Sequence, residues 1–442
     1  MKKVYRYHII TLGCQMNKND SERMESILRN MKLELTDRPE HADIILINTC
    51  SVRQASEDRV FGMVNNFNEL KSKNQNLIIG VTGCMAGRDK KETFRRILPG
   101  VDLYFPTKDM VMLPQWLMGL NPELRDVGDM EKDYLAIHPV HDKKFQAFVT
   151  IQTGCNQYCA YCVVPYARGA EVNRQVKDIL NEVIELAQNG CKEVTLLGQI
   201  VNHYVAPDPE VFSKENPYKK NDFAKLLWEI NRIAGIDRIH WTAAHPLYMD
   251  DEVIDALTLP KQVNYIHLPV QSGSSSVLKR MNRKHDRDYY IEVISKIRAK
   301  KPDIAIGTDI IVGFSGETEQ DFEDTVTLYK ICGFDISYNA KYSPRSWTAA
   351  AKAFEDDVLR EEKERRWWVL QNVMEDLVLE KNKVYEGKKL EVLVDSWDKG
   401  ICSGNSREMK LVRFPGSESF VGSVIPVRIT QAYEWILTAE MI

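Results

Sequence analysis

Residues 153–162 read TGCNQYCAYC. Cys155, Cys159 and Cys162 stand in C-x3-C-x2-C spacing, with the aromatic Tyr161 just before the last cysteine. The stretch follows FQAFVTIQ (145–152), whose apolar and β-branched residues read as a strand, so the cysteines occupy a loop at its end. Three thiolates in so short a loop hold three irons of a 4Fe–4S cluster and leave the fourth open. An open iron can chelate the amino and carboxylate groups of S-adenosylmethionine (SAM). Two plainer readings stand beside this one. A zinc site wants a fourth protein ligand, which the loop does not supply. The other is three unrelated cysteines in a turn.

Downstream, strand-like runs recur at EVTLLG (193–198), RIHWTA (238–243), VNYIHLPV (263–270), DIAIGTDIIV (303–312) and FDISYNAKY (334–342). Helical patterns follow the first five of the six strands, for instance VKDILNEVIELAQNG (176–190), which closes on Gly190. Six βα units are too few for an eight-stranded barrel. They predict a central partial (β/α)6 barrel over 145–375, with the loops after the strands as its active face. Upstream, YHIITL (7–12), ADIILIN (42–48) and NLIIGVT (76–82) alternate with helical DSERMESILRN (20–30) and SEDRVFGMVNNFNELKS (56–72). That alternation predicts an N-terminal open parallel sheet over 1–130, an α/β domain. Each of its three runs ends in a cysteine: Cys14 in TLGC, Cys50 in INTC and Cys84 in VTGC. Carboxyl ends of parallel strands face one crevice. The three can therefore converge on a second iron–sulfur cluster, with Gly13 and Gly83 allowing close backbone approach. The plain alternative is three small buried apolar side chains. Cys191, Cys332 and Cys402 have no such setting and read as structural.

A polar stretch, NPELRDVGDMEKDY (121–134), reads as a linker. A charged helix over 356–387 reads as leading away from the barrel with a solvated face. Short runs at 389–395, 409–414 and 423–442 then predict a small antiparallel β-barrel over 380–442, of a kind that often binds RNA. The whole chain has 442 residues, enough for two to four domains, and its 44% hydrophobic and 28% charged residues exclude disorder and collagen-like repeats. No run of 18 apolar residues occurs, and MKKVYRYHII lacks a signal-peptide core, so a cytoplasmic protein without disulfides is expected. With 59 Lys and Arg against 63 Asp and Glu, the chain is not basic overall. Yet VLKRMNRKHDRDYYIEVISKIRAKK (277–301) holds nine basic and three acidic residues. Arg280, Arg283 and Lys284 lie just after the fourth strand, where they can contact phosphates; a solvated helix face is the alternative. In the tail, Tyr385, Trp397, Phe414 and Phe420 could stack bases or fill its core.

TLGCQMN (11–17), NDSE (19–22), NTCSVR (48–53), TGCMA (82–86), TGCNQYCAYCVVPYARG (153–169), HLPVQSGS (267–274), MNRKH (281–285) and TDIIVGF (308–314) together resemble the radical-SAM methylthiotransferases. The likeness spans nearly the whole chain, and the tail resembles that family's TRAM domain. Gln15, Met16 and Asn17 match the branch acting on isopentenyl-adenosine in tRNA. The branches acting on threonylcarbamoyl-adenosine or on a ribosomal protein carry other residues there. The resemblance implies a methylthio group added to carbon 2 of an adenine beside the anticodon, by a radical derived from SAM. It implies two 4Fe–4S clusters: one for SAM on Cys155, Cys159 and Cys162, and an auxiliary one on Cys14, Cys50 and Cys84. It further implies an electron donor such as flavodoxin or ferredoxin, a monomer, and no membrane. The SAM pocket is then expected from Tyr161, Gln199, His245, Gln271, Asp309, Gly313 and Glu317 at strand ends. His245 could instead fix a turn, and Glu317 cap a helix. The chain departs from the family pattern at Ala170, Ile200, Ser315 and Trp347, all in loops near the expected active face. A non-catalytic RNA-binding protein with structural clusters is the reading from another class. A complete C-x3-C-x2-C argues against it, because a structural site needs no open iron.

Overall fold

The computed structural model describes residues 3–51, 54–124 and 133–442. Its first domain is a five-stranded sheet of β1 (Arg6–Leu12), β2 (Glu34–Leu35), β3 (Ile44–Thr49), β4 (Ile78–Gly83) and β5 (Leu103–Phe105). All neighbours are parallel, in the order β2-β1-β3-β4-β5. β3 and β4 are buried from end to end, which is why their sequences are unbroken apolar runs rather than alternating ones. The helix Gln15–Asn30 packs Met24 and Leu28 on one face of the sheet, and the helix Gln54–Lys73 packs Val60, Val64 and Phe67 on the other. Strand order reverses between β1 and β3, and at such a switch point the strand ends open a crevice. β2 and β5, at two and three residues, are too short to leave a periodic signal.

Six strands form the central domain's partial barrel, as expected. β6 (Gln146–Thr150) is followed by the short hairpin β7 (Gln152–Thr153) and β8 (Val172–Asn173), which brackets the cysteine loop. β9 (Glu193–Leu197), β10 (Arg238–Trp241), β11 (Tyr265–His267), β12 (Ala305–Val312) and β13 (Ile336–Lys341) complete it. The parallel triplets β6-β9-β10 and β11-β12-β13 are joined through the bridge between Ile239 and Gln262, and the barrel stays open between β6 and β13. The charged helix, Arg360–Lys383, does not lead away. Leu370, Met374 and Val378 enter the barrel core, while Lys363 and Arg366 are buried. Positions 366, 370, 374 and 378 share one helix face, a stripe that the surrounding charge obscures in the sequence.

The C-terminal domain closes β14 (Lys389–Asp398), β15 (Ile401–Ser406), β16 (Leu411–Pro415), β17 (Val424–Ala432) and β18 (Leu437–Met441) into a barrel. It is not wholly antiparallel, because β16 pairs with β18 in parallel. The strand ICSGNS (401–406) is absent from the sequence reading because its inward residues are Cys402, Gly404 and Ser406, too small to read as apolar. Gly404 is required there: a Cβ would lie 2.0 Å from Leu393 O on β14. Arg238 of β10 fastens this barrel, donating to Asn405 O at 2.8 Å and Glu391 O at 2.7 Å.

The middle of the expected linker, residues 125–132, lies outside the described residues. Its end is no linker: Tyr134 and Leu135 are buried in the first domain's core. Asn19 joins the first domain to β6, donating to Phe148 O at 3.2 Å and accepting from Thr150 Oγ1 at 2.8 Å. Among the described residues no helix is long and apolar enough to cross a membrane.

Candidate active site

Gly154 starts the cysteine loop at φ +76°, and a Cβ there would lie 1.9 Å from Ala170 O. Only glycine lets the loop's two ends close to form the bond from Cys155 N to Gly169 O at 3.1 Å. Backbone N–H groups point at the sulfurs: Gln157 N lies 3.5 Å from Cys155 Sγ and Val164 N 3.4 Å from Cys162 Sγ. Burial, reinforced by the neighbouring thiols, raises Cys155 and pushes Cys162 up to about 12. Such thiols keep their protons unless a metal centre takes the thiolate. Among the described residues no three His, Cys, Asp or Glu side chains gather as around a single ion.

The second triad follows from strand register. Leu12 of β1, Thr49 of β3 and Gly83 of β4 are paired in one row across the sheet. Cys50 and Cys84 stand one residue beyond that row and Cys14 two beyond it. Gly13 brings the loops together: a Cβ there would lie 2.6 Å from Cys50 Cβ. Burial raises the Cys84 thiol, with Arg168 opposing and Cys14 adding to the shift. Asn17 and Asn48 fix the loops that carry Cys14 and Cys50, with Asn17 Nδ2 donating to Asn48 Oδ1 at 3.0 Å and Asn48 Nδ2 to Asn17 O at 2.7 Å. Both lie inside motifs quoted above, yet nothing in their spacing shows that they meet. The same holds for Arg168. It sits six residues after Cys162, yet its charge acts on Cys84 and it donates to Asp20 Oδ2 at 2.5 Å.

The two triads are neighbours. The helix Cys84–Arg88 packs on the helix Val164–Arg168, and Gly87 makes room for the carbonyl of Ala167. Beside them opens a cavity of about 850 Å³. Cys162 and Tyr161 line it from the cysteine loop, Gln54 from the segment after Cys50, Gln271 and Asp309 from the barrel, and Trp435 from the C-terminal domain.

Residues 6–106 match the uncharacterized protein family UPF0004, 149–329 the Radical SAM superfamily and 383–442 the TRAM domain. The chain is 42% identical over 452 residues to the tRNA-2-methylthio-N(6)-dimethylallyladenosine synthase of Thermoanaerobacter sp. (strain X514), covering 100% of this chain and 93% of the relative. Proteins of the same name from Clostridium botulinum (strain Okra / Type B1) and Geobacillus kaustophilus (strain HTA426) are 41% identical. Each match covers 99% of this chain, with 97% and 82% of the relatives. The chain belongs to the radical-SAM methylthiotransferases. It is an enzyme, a transferase of methylthio groups, in a family that works with an iron–sulfur cluster and SAM. Among solved structures, a radical SAM methyltransferase from Kitasatospora setae, with cobalamin and a 4Fe–4S cluster bound, shares the fold. It has a TM-score of 0.55 at 11% identity, over 79% of this chain and 77% of that one.

Within this methylthiotransferase, the expected SAM-pocket residues divide. Tyr161, Gln271 and Asp309 meet at the cavity, and His267 Nε2 lies 3.1 Å from Asp309 Oδ1. Gln199, His245, Gly313 and Glu317 do not line it. His245 Nδ1 accepts from Leu247 N at 3.3 Å and so caps the turn at 246–248; burial drops the ring to about 2, keeping it neutral. Glu317 accepts from Gly313 N and pairs with Arg366 at 2.8 Å, tying the loop to the helix Arg360–Lys383. The expected RNA residues divide as well. Lys284 is exposed. Arg280 donates to Gly316 O at 2.9 Å and Ser315 O at 3.2 Å. Arg283 is a correction: it is buried at 9% exposure, so it faces the cysteine loop rather than a phosphate. In the tail, Phe414 is core, Tyr385 and Phe420 pack against that core, and Trp397 is partly exposed. Tyr433 and Trp435 are 43% and 49% exposed. Among the departures from the family pattern, Ala170 is exposed, Ile200 and Ser315 are buried, and Trp347 adopts φ +78°. The Trp347 ring is covered by Lys91 Nζ at 5.0 Å.

Proposed function

We propose that this chain is a tRNA-2-methylthio-N(6)-dimethylallyladenosine synthase, which replaces the hydrogen on carbon 2 of a prenylated adenosine beside the anticodon with a methylthio group. The observation that carries this reading is the cavity at which Cys162, the segment after Cys50 and the C-terminal barrel's Trp435 meet. An adenine seated there would lie beside Cys162 and the segment that follows Cys50. In this reading Cys155, Cys159 and Cys162 hold the SAM cluster, and Cys14, Cys50 and Cys84 an auxiliary one. Bound there, clusters and SAM supply a radical able to take hydrogen from an unactivated carbon, and the sulfur that replaces it.

The chain's own part is binding and placement. Tyr161, Gln271 and Asp309 present polar groups to SAM or the base. Ile311, Ile336 and Ala340 offer an apolar wall to the prenyl group and keep water from the reacting carbon. The units 1–130, 145–375 and 380–442 divide the work into sulfur supply, radical generation and RNA binding. The tRNA is held by exposed groups such as Lys284, Tyr433 and Trp435, and the enzyme works as a cytoplasmic monomer that draws electrons from a flavodoxin or ferredoxin. Gln15, Met16 and Asn17 support the prenyl-adenosine substrate over threonylcarbamoyl-adenosine or a ribosomal protein.

The experiment uses anaerobically reconstituted protein, reductant, SAM and tRNA from a strain lacking the modification, with digested nucleosides read by mass spectrometry. Wild type should form the 2-methylthio prenyl nucleoside. Changing Cys155, Cys159 and Cys162 to Ala should abolish 5′-deoxyadenosine. Changing Cys14, Cys50 and Cys84 to Ala should leave about half the iron and keep 5′-deoxyadenosine, but form no methylthio product, because each cluster depends on only three thiolates. A methylthio product from that second variant would defeat the two-cluster reading.

A further inference from the structure

Three consecutive residues of the basic segment grip the cysteine loop. Met281 O accepts the N–H of Ala160 at 2.8 Å, Asn282 Nδ2 donates to Tyr158 O at 2.9 Å, and Arg283 Nη1 donates to Cys159 Sγ at 3.6 Å. Asn282 makes this grip by turning through φ +56°. Arg283 is also held from behind, with Nη2 donating to Pro269 O at 3.1 Å. Its Nε is buried and has no partner among the described residues, and no carboxylate pairs with it there. A buried guanidinium without an anion is costly. The acidic groups that face it are the thiols of Cys159 and Cys162 and the phenol of Tyr161. Among the described residues no carboxylate offsets its charge, so an anionic group held by the three cysteines would complement it. Arg168, which reaches Cys84 of the other triad, differs in this respect, because Asp20 already offsets its charge.

We infer that Arg283 is a positioning residue that sets the reduction potential of the cluster held by Cys155, Cys159 and Cys162, by donating to the Cys159 sulfur and placing a buried positive charge beside it. Reduction adds one negative charge to the cluster. Hydrogen bonds to its sulfurs and a nearby cation favour the reduced form and raise the potential. The arrangement also explains why the segment carries arginine here: a planar fork reaches a sulfur and a backbone carbonyl together, which an ammonium does not.

This inference rests on the reading that the three cysteines hold a SAM-binding cluster. The test is a redox titration of the full-length reconstituted protein, following the reduced-cluster electron paramagnetic resonance signal that changes on SAM addition, with iron counted in parallel. Arg283→Gln should keep its iron and lower the midpoint by at least 59 mV, a tenfold shift in a one-electron equilibrium. Arg283→Lys, which keeps the charge, should fall between wild type and Arg283→Gln. An unchanged midpoint with full iron overturns the inference. If Arg283→Gln loses the cluster, Arg283→Lys decides. A cluster retained with a midpoint lowered from wild type supports the tuning role through the lost donation to Cys159, whereas a midpoint equal to wild type, or a cluster lost there too, overturns the inference and leaves Arg283 as a scaffold residue only. Absence of any SAM-responsive signal in wild type would instead refute the cluster reading itself.

Discussion

Gly87 offers a way to separate the two cysteine triads without touching a cysteine. A Cβ at this position would stand 2.0 Å from Ala167 O, a backbone atom, and contacts under 3.0 Å essentially do not occur. In Gly87→Ala the helix Cys84–Arg88 therefore retreats from Val164–Arg168 by about 1 Å, since packed interiors have no free space to absorb the methyl. Each triad keeps its own geometry, because Cys84 follows β4, whose sheet also carries Cys14 and Cys50 so that the first domain shifts as a body, and the cysteine loop is bracketed by β7 and β8. The distance between the triads changes. A misplacement of about 1 Å costs on the order of 10²-fold in rate where reacting groups must meet. The expected outcome is uncoupling: iron content and 5′-deoxyadenosine formation near wild type, with methylthio nucleoside per 5′-deoxyadenosine down about 100-fold. The stability cost should be about 1–3 kcal/mol, read by urea denaturation of the apo-protein. Product formation at the wild-type ratio would refute the argument that this helix contact sets the spacing between the triads.

Three further outcomes follow from buried groups. Arg366→Met leaves the Glu317 carboxylate buried without its cation and should cost about 3–5 kcal/mol, while Arg366→Met with Glu317→Gln should recover much of it; a double-mutant cycle by urea denaturation checks this. Trp347 holds φ +78°, a conformation glycine adopts freely, so Trp347→Gly should relieve about 1–2 kcal/mol of backbone strain, less the contact with Lys91 and the freedom glycine adds to the unfolded chain, read as a small rise in thermal midpoint. Burial drops His240 to about 4, so its contribution is full above about pH 6.5 and is lost as pH falls toward 4. Between pH 7 and 5 that loss should be about 2 kcal/mol, and it should shrink in His240→Phe.

The order of the main elements, and the placing of six cysteines at the ends of strands, were legible in the sequence, because both are written in local patterns. Buried parallel strands need uninterrupted apolar runs, so β3 and β4, and β1 beside them, could be read off together with the cysteines that follow them, Cys14, Cys50 and Cys84. What tertiary structure alone decided is where charged side chains end up. Arg283 and Lys284 are adjacent and alike in sequence, yet one is buried against Cys159 and the other faces solvent. Arg168 reaches a cysteine 84 positions upstream, and Arg366 meets Glu317 49 positions away. Burial and pairing of a charge depend on which distant segment packs over it, and no local periodicity records that partner. The same holds for β15, whose inward residues are small because β14 lies so close. Strand tendency is local physics, whereas the space between two strands belongs to the pair.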